Sequence, residues 1–173
     1  MALITLGANA ITALPSGVGG KVLQVVQATK TASQSFTLGT GTLSDITGLS
    51  LSITPSSASN KILILFTVHF GQTGSSANPY IHIDRGGSNI FIGDTAGSRQ
   101  RITAGVGAPG QTDYNLFNAN QTFLDSPSTT SATTYKLRTG GYGSREFHIN
   151  KQNVDSTEND SATSTLTLME ISA

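Results

Sequence analysis

Cysteine and tryptophan are both absent from this sequence. Without cysteine there is no disulfide framework, no thiolate metal site and no cysteine nucleophile, so any chemistry must come from oxygen and nitrogen groups. Charge is scarce too: 12% of the 173 residues are Asp, Glu, Lys or Arg, about half of the usual share of roughly 25%. The ten basic and ten acidic residues cancel. No overall field therefore draws the chain to nucleic acid or to an anionic membrane, and neither nucleic acid nor membrane insertion is expected. No apolar window approaches the roughly 18 residues that cross a bilayer as a helix, and no basic residue precedes the first apolar stretch, so neither a membrane helix nor a signal peptide is expected. What stands in place of charge is hydroxyl: Ser and Thr number 45, beside 19 glycines. Leu, Ile, Val and Phe still supply 42 residues, enough for a core in a chain one domain long.

The apolar residues recur at spacing two, and Gly, Pro, Asn or Ser clusters interrupt them at intervals of roughly 8 to 12 residues, the pattern of an all-β chain. Lys61 to Phe70 begins as a near-continuous apolar run and ends alternating, as expected of a central strand. Gly48 to Thr54 puts Leu49, Leu51 and Ile53 on one face and Ser50 and Ser52 on the other. Tyr80 to Asp84 and Asn89 to Ile92 flank Arg85-Gly86-Gly87-Ser88 and read as a hairpin. Further strands are expected at Lys21–Gln27, Ser35–Leu38, Gln100–Thr103, Tyr114–Leu124, Thr133–Arg138, Glu146–Asn150 and Ser164–Ile171. Eleven short strands without a crossover helix predict an antiparallel β-sandwich, a jelly roll. Residues 1–20 differ, ending in the Pro and Gly punctuation of Leu14 to Gly20. They read as an N-terminal arm and 21–173 as the head domain. Leu3, Ile4, Leu6, Ile11 and Leu14 of the arm need a dock, either as an edge strand on the chain's own sheet or on a neighbouring subunit or partner protein.

Few motifs carry chemistry. Gly105-Val106-Gly107-Ala108-Pro109-Gly110 has the dinucleotide spacing, but a phosphate site requires a helix starting at the glycines, and a strand-like segment follows instead. No nucleophile elbow or P-loop lysine occurs, so no catalytic residue, no cofactor and no enzymatic activity is expected. His69, His82 and His148 alternate with apolar neighbours and are expected on polar faces, solvated or hydrogen-bonded, with a metal or inter-subunit cluster as the second reading; no metal ligands are assigned. The glycine-rich tip Gly140-Gly141-Tyr142-Gly143 with Arg145 is the best candidate binding loop, since Tyr142 offers rigid contact area and Arg145 planar donors for a sugar or a protein. A second candidate loop is Gly71 to Asn78.

Seven short segments occur in an order that resembles tail-fibre and other virion structural proteins of tailed bacteriophages. They are Gly20–Val26, Thr47–Ser57, Asn60–Ile64, Ala96–Arg99, Phe123–Pro127, Ser131–Lys136 and Ser164–Ile171, spanning about residues 20 to 171. The resemblance implies a jelly-roll head similar to the trimeric heads of complement and tumour necrosis factor, hence a homotrimer on the virion, assembled in the host cytoplasm. It implies partners among other virion proteins of the tail, baseplate or capsid, and a host surface glycan or protein as the attachment target. A short tail fibre or fibre tip in host attachment is the leading expectation. A capsid decoration (cement) protein held by its arm is the alternative, and a carbohydrate-binding, lectin-like module is the alternative of another class. No catalytic residue carries over.

Overall fold

The computed structural model describes residues 21–73, 77–106 and 113–173. Every regular element among them is a strand: β1 (Val22–Lys30), β2 (Gln34–Thr37), β3 (Ser44–Ile53), β4 (Lys61–Gln72), β5 (Tyr80–Arg85), β6 (Ser88–Ile90), β7 (Ala104–Gly105), β8 (Leu116–Asp125), β9 (Thr133–Gly140), β10 (Glu146–Ile149) and β11 (Ser164–Ile171). They form two antiparallel sheets. In the six-stranded sheet β4 is central, with β8 along one edge and β11 then β10 along the other; β1 lies beyond β11 and β2 beyond β10. The five-stranded sheet runs β3-β9-β5, with β6 and β7 both on β5. The pairs β5–β7, β4–β8, β3–β9 and β1–β11 nest inside one another, as when one long hairpin is wound into a sandwich. The expected jelly-roll sandwich is the fold.

Alternation places the core. Ile62, Ile64, Phe66, Val68 and Phe70 of β4 turn inward with Leu166 and Leu168 of β11, and Ile81, Ile83, Tyr135 and Leu137 meet them from the other sheet, all at most 3% exposed. At about 25 cal/mol per Å² of apolar area, burying each such side chain contributes about 1.5–3 kcal/mol. The β5–β6 hairpin turns through Gly86 and Gly87 at φ of 57° and 96°, a conformation that a Cβ would strain.

Three expectations are corrected. β3 starts at Ser44, four residues before its clean alternation begins, because a register shift between Asp45 and Ser50 puts Ile46 and Leu49, three apart, both into the core. Gln100–Thr103 is not a strand: Arg99 and Arg101 bond back to the loop carbonyls of Ala96 and Gly93, and pairing with β5 starts only at Thr103–Ala104. Two of the three histidines are not on open polar faces, since His82 and His148 are buried.

Candidate binding end

The two ends of the sandwich differ. Lys21 enters at the end holding Ile171, Lys61, Asp125, Ile53 and Thr133; its N–H donates to Ser172 Oγ at 2.8 Å, and its carbonyl accepts from the Ser172 N–H at 2.9 Å. β4 then carries the sheet over twelve residues, about 36 Å at 3.3 Å per residue, to the opposite end. There the β2–β3, β4–β5, β6–β7 and β9–β10 connections gather.

Tyr142 sits in that cluster. β9 ends on Gly140, whose cross-strand partner is Tyr80. A Cβ on Gly140 would lie 2.6 Å from Tyr80 Cε2, so only glycine admits the ring. Tyr80 is thereby buried, its hydroxyl reaching the Gly41 backbone. Burial first, then the neighbouring Tyr142, push that hydroxyl above the usual phenol range. The Tyr142 N–H donates to the Ala77 carbonyl at 2.9 Å, and its half-buried ring stands edge-on to Tyr80, centroids 5.5 Å apart at 61°. Beside the two rings Pro79, Ile102, Gly105 and Val106 line an apolar cleft of about 330 Å³ with Asn78 at its rim. Arg145 is exposed three residues further on, beyond Gly143, whose N–H donates to Thr40 Oγ1 at 3.3 Å.

The two candidate loops thus meet, but unequally. Tyr142 is a wall of the cleft, whereas Arg145 does not line it. In the Gly71–Asn78 segment, Gly71 and Gln72 belong to β4, Ala77 is buried as the acceptor for Tyr142, and 74–76 lie outside the described residues. Leu3, Ile4, Leu6, Ile11 and Leu14 also lie outside the described residues. The sequence reading missed Tyr80, Pro79, Ile102 and Val106. The usable signal was the Gly140-Gly141 pair, which marks a place where something bulky comes close.

The histidines stay apart. His148 is held between Ser35 Oγ at 2.9 Å and Asn153 Oδ1 at 2.8 Å, and His69 Nδ1 lies 3.1 Å from the Thr163 carbonyl. His82 lies against Tyr80, ring centroids 5.6 Å apart, and its buried Nδ1 has no hydrogen-bond partner among the described residues. Burial, then the nearby Arg138 charge, lower its pKa and keep it neutral near pH 7. Among the described residues no three His, Asp or Glu side chains are grouped to hold a metal ion. Of the glycine motif, Gly105 is part of β7 and 107–110 lie outside the described residues, while Asp125, the acid that a dinucleotide site would need for a ribose, instead takes Arg85 Nη1 at 2.7 and 2.8 Å and the Tyr135 hydroxyl at 2.6 Å. No family model and no curated protein matches the sequence.

Proposed function

We propose that this chain is a non-enzymatic surface protein of a tailed-bacteriophage particle, a homotrimeric short tail fibre or fibre tip that takes part in host attachment. The observation that carries the reading is the polarity of the head. Residues 1–20 join at the Lys21 end, and the Tyr80–Tyr142 cleft opens at the other, about 36 Å away along β4. A head held to a particle at one end presents the other outward. The cleft has what a receptor contact needs, rigid aromatic and apolar walls set by strand ends, and the exposed Arg145 three residues along the chain from Tyr142 offers donors for a polar or anionic group. Three such sites on one trimer bind a repetitive surface together, so avidity replaces single-site affinity.

The test is adsorption of particles carrying Tyr142→Ala with Arg145→Ala. The expected result is weaker adsorption to host cells with unchanged particle assembly and unchanged melting of the purified head. Unchanged adsorption removes this end from host contact. Particles lacking the whole protein that still adsorb normally, with the protein seen on the shell in micrographs, establish the capsid decoration reading instead.

A further inference from the structure

Charge is divided unequally between the two sheets. Asp45 pairs with Lys136 at 2.8 Å and Arg138 at 3.1 Å, and Asp84 lies 3.9 Å from Arg138, all on the five-stranded sheet. Arg85 and Asp125 close the seam between the sheets at 2.7 Å. The outward face of the six-stranded sheet carries none of this. Register sets Val25, Met169, Leu63 and Leu124 side by side in one row across β1, β11, β4 and β8. The next two rows along the strands run from Gln27 to Thr122 and from Thr29 to Asn120, and they hold one leucine, hydroxyls and amides. Val25 is 53% exposed and Leu124 48%. A groove of about 420 Å³ follows Leu65, Thr67 and Thr122 down the middle.

The border of this face is unusual as well. β8 pairs with β4 through all ten of its residues without a bulge. On its other side it makes no backbone hydrogen bond among the described residues. Edge strands are ordinarily blunted by lysine, proline, a bulge or shortness; β8 has none of these, and its one charge, Asp125, is turned to Arg85 and Tyr135.

We propose that these three uncharged rows, which begin one row in from Lys61, together with the edge of β8, are where copies of the chain meet. The inference rests on the homotrimer reading above and gives it a contact surface. A charged partner laid on these rows would lose its hydration with nothing to pair with, whereas the β8 edge of a second copy, its one charge turned to Arg85 and Tyr135, brings none, and face against edge is the head-to-tail contact that a threefold ring needs. The area fits. Four strands at about 4.8 Å and six residues at about 3.3 Å cover about 400 Å² of flat area on one copy, so each contact covers about 800 Å² in total before the relief of the side chains is counted, near the threshold of a specific interface. The groove receives a ridge from the neighbour, and the outer N–H and C=O groups of β8, unpaired among the described residues, gain shelter from water.

The experiment compares the full-length chain with Val25→Lys/Leu124→Lys and with Ser52→Lys, a lysine placed on the exposed face of the other sheet. Mass is read by light scattering at micromolar concentration and amide exchange over Leu116–Asp125. The expected result is a multimer for the native chain and Ser52→Lys, a folded single chain for the double variant, and slow exchange along β8 in the multimer alone. A double variant that stays multimeric overturns this face as the contact and leaves the multimer standing. A native chain that is monomeric overturns both the inference and the trimer reading; slow β8 exchange in that monomer assigns the covering role to the chain's own residues 1–20. Should the double variant unfold, fast exchange along β8 in the native multimer is the result that overturns the edge contact.

Discussion

Glu170 is the residue whose loss should tell most about how this head is fastened near its Lys21 end. Its side chain is 1% exposed on the inward side of β11, among four donors. Oε1 accepts from the Ser56 N–H at 2.7 Å, Ser56 Oγ at 2.8 Å and Asn60 Nδ2 at 2.6 Å; Oε2 accepts from Gln24 Nε2 at 2.6 Å. One carboxylate thus ties β11 to β1 and to the β3–β4 connection. Burial alone would raise its pKa, but the hydrogen bonds from Asn60, Gln24 and Ser56 outweigh it and hold the pKa at about 2, against 4.5 for an ordinary glutamate. At about 1.4 kcal/mol per unit the full difference is about 3.5 kcal/mol. Its partner Ser56 is exposed and Gln24 half-buried, so solvent screens part of the interaction and about 1.5–3 kcal/mol is the expected contribution. The sign follows from a folded-state pKa below the unfolded one: the stabilisation is complete above pH 4.5 or so and is lost as pH falls towards 2. Glu170→Gln keeps the shape, removes the charge and turns an amide donor towards donors. Urea unfolding at pH 7 should show the variant less stable by about 1.5–3 kcal/mol, with the gap closing as pH approaches 2. A gap that stays constant from pH 7 to pH 2 would refute the charge-based reasoning, and no gap at pH 7 would refute the fastening role.

Four further outcomes are expected. Gly140→Ala drives a Cβ into the Tyr80 ring; a loss of about 2–4 kcal/mol on thermal unfolding is expected, relieved in the double variant with Tyr80→Ala, and additive losses would show that the ring is not the obstacle. Tyr135→Phe leaves the buried Asp125 with Arg85 as its remaining side-chain partner and should cost about 1–2 kcal/mol. The Tyr135 hydroxyl, raised by burial and then by its hydrogen bond to Asp125, should stay protonated in an absorbance titration to pH 11. Its ionisation there in the folded protein would contradict the buried network. Deleting residues 1–16 should leave a cooperative unfolding transition and abolish incorporation into particles, and loss of the transition would make the arm part of the fold.

Alternation with a period of two was enough to read the class of fold and ten of the eleven strand positions, because a side chain's face in a strand depends only on its parity. Lys61–Phe70 as the central strand and Tyr80–Ile90 as a hairpin were legible for the same reason: an unbroken apolar run needs cover on both sides, and paired glycines permit a tight turn. Where the backbone broke parity, as at the shift between Asp45 and Ser50, the alternation carried no signal. The candidate site was half legible. Tyr142 and Arg145 stood out as a glycine-framed pair, yet Tyr80, Pro79, Ile102 and Val106 looked like ordinary strand or loop residues. Only the register of β5 against β9 sets Tyr80 opposite Gly140, and only the gathering of four connections at one end makes a cleft of them. The burial of His82 and His148 is decided the same way, by chain from distant parts of the sequence packing over the sheet faces. Parity is a local property that composition and spacing record. Which strand pairs with which, and so which end carries the cleft and which rows of a face stay free of charge, is a long-range choice that exists only once the two sheets have packed.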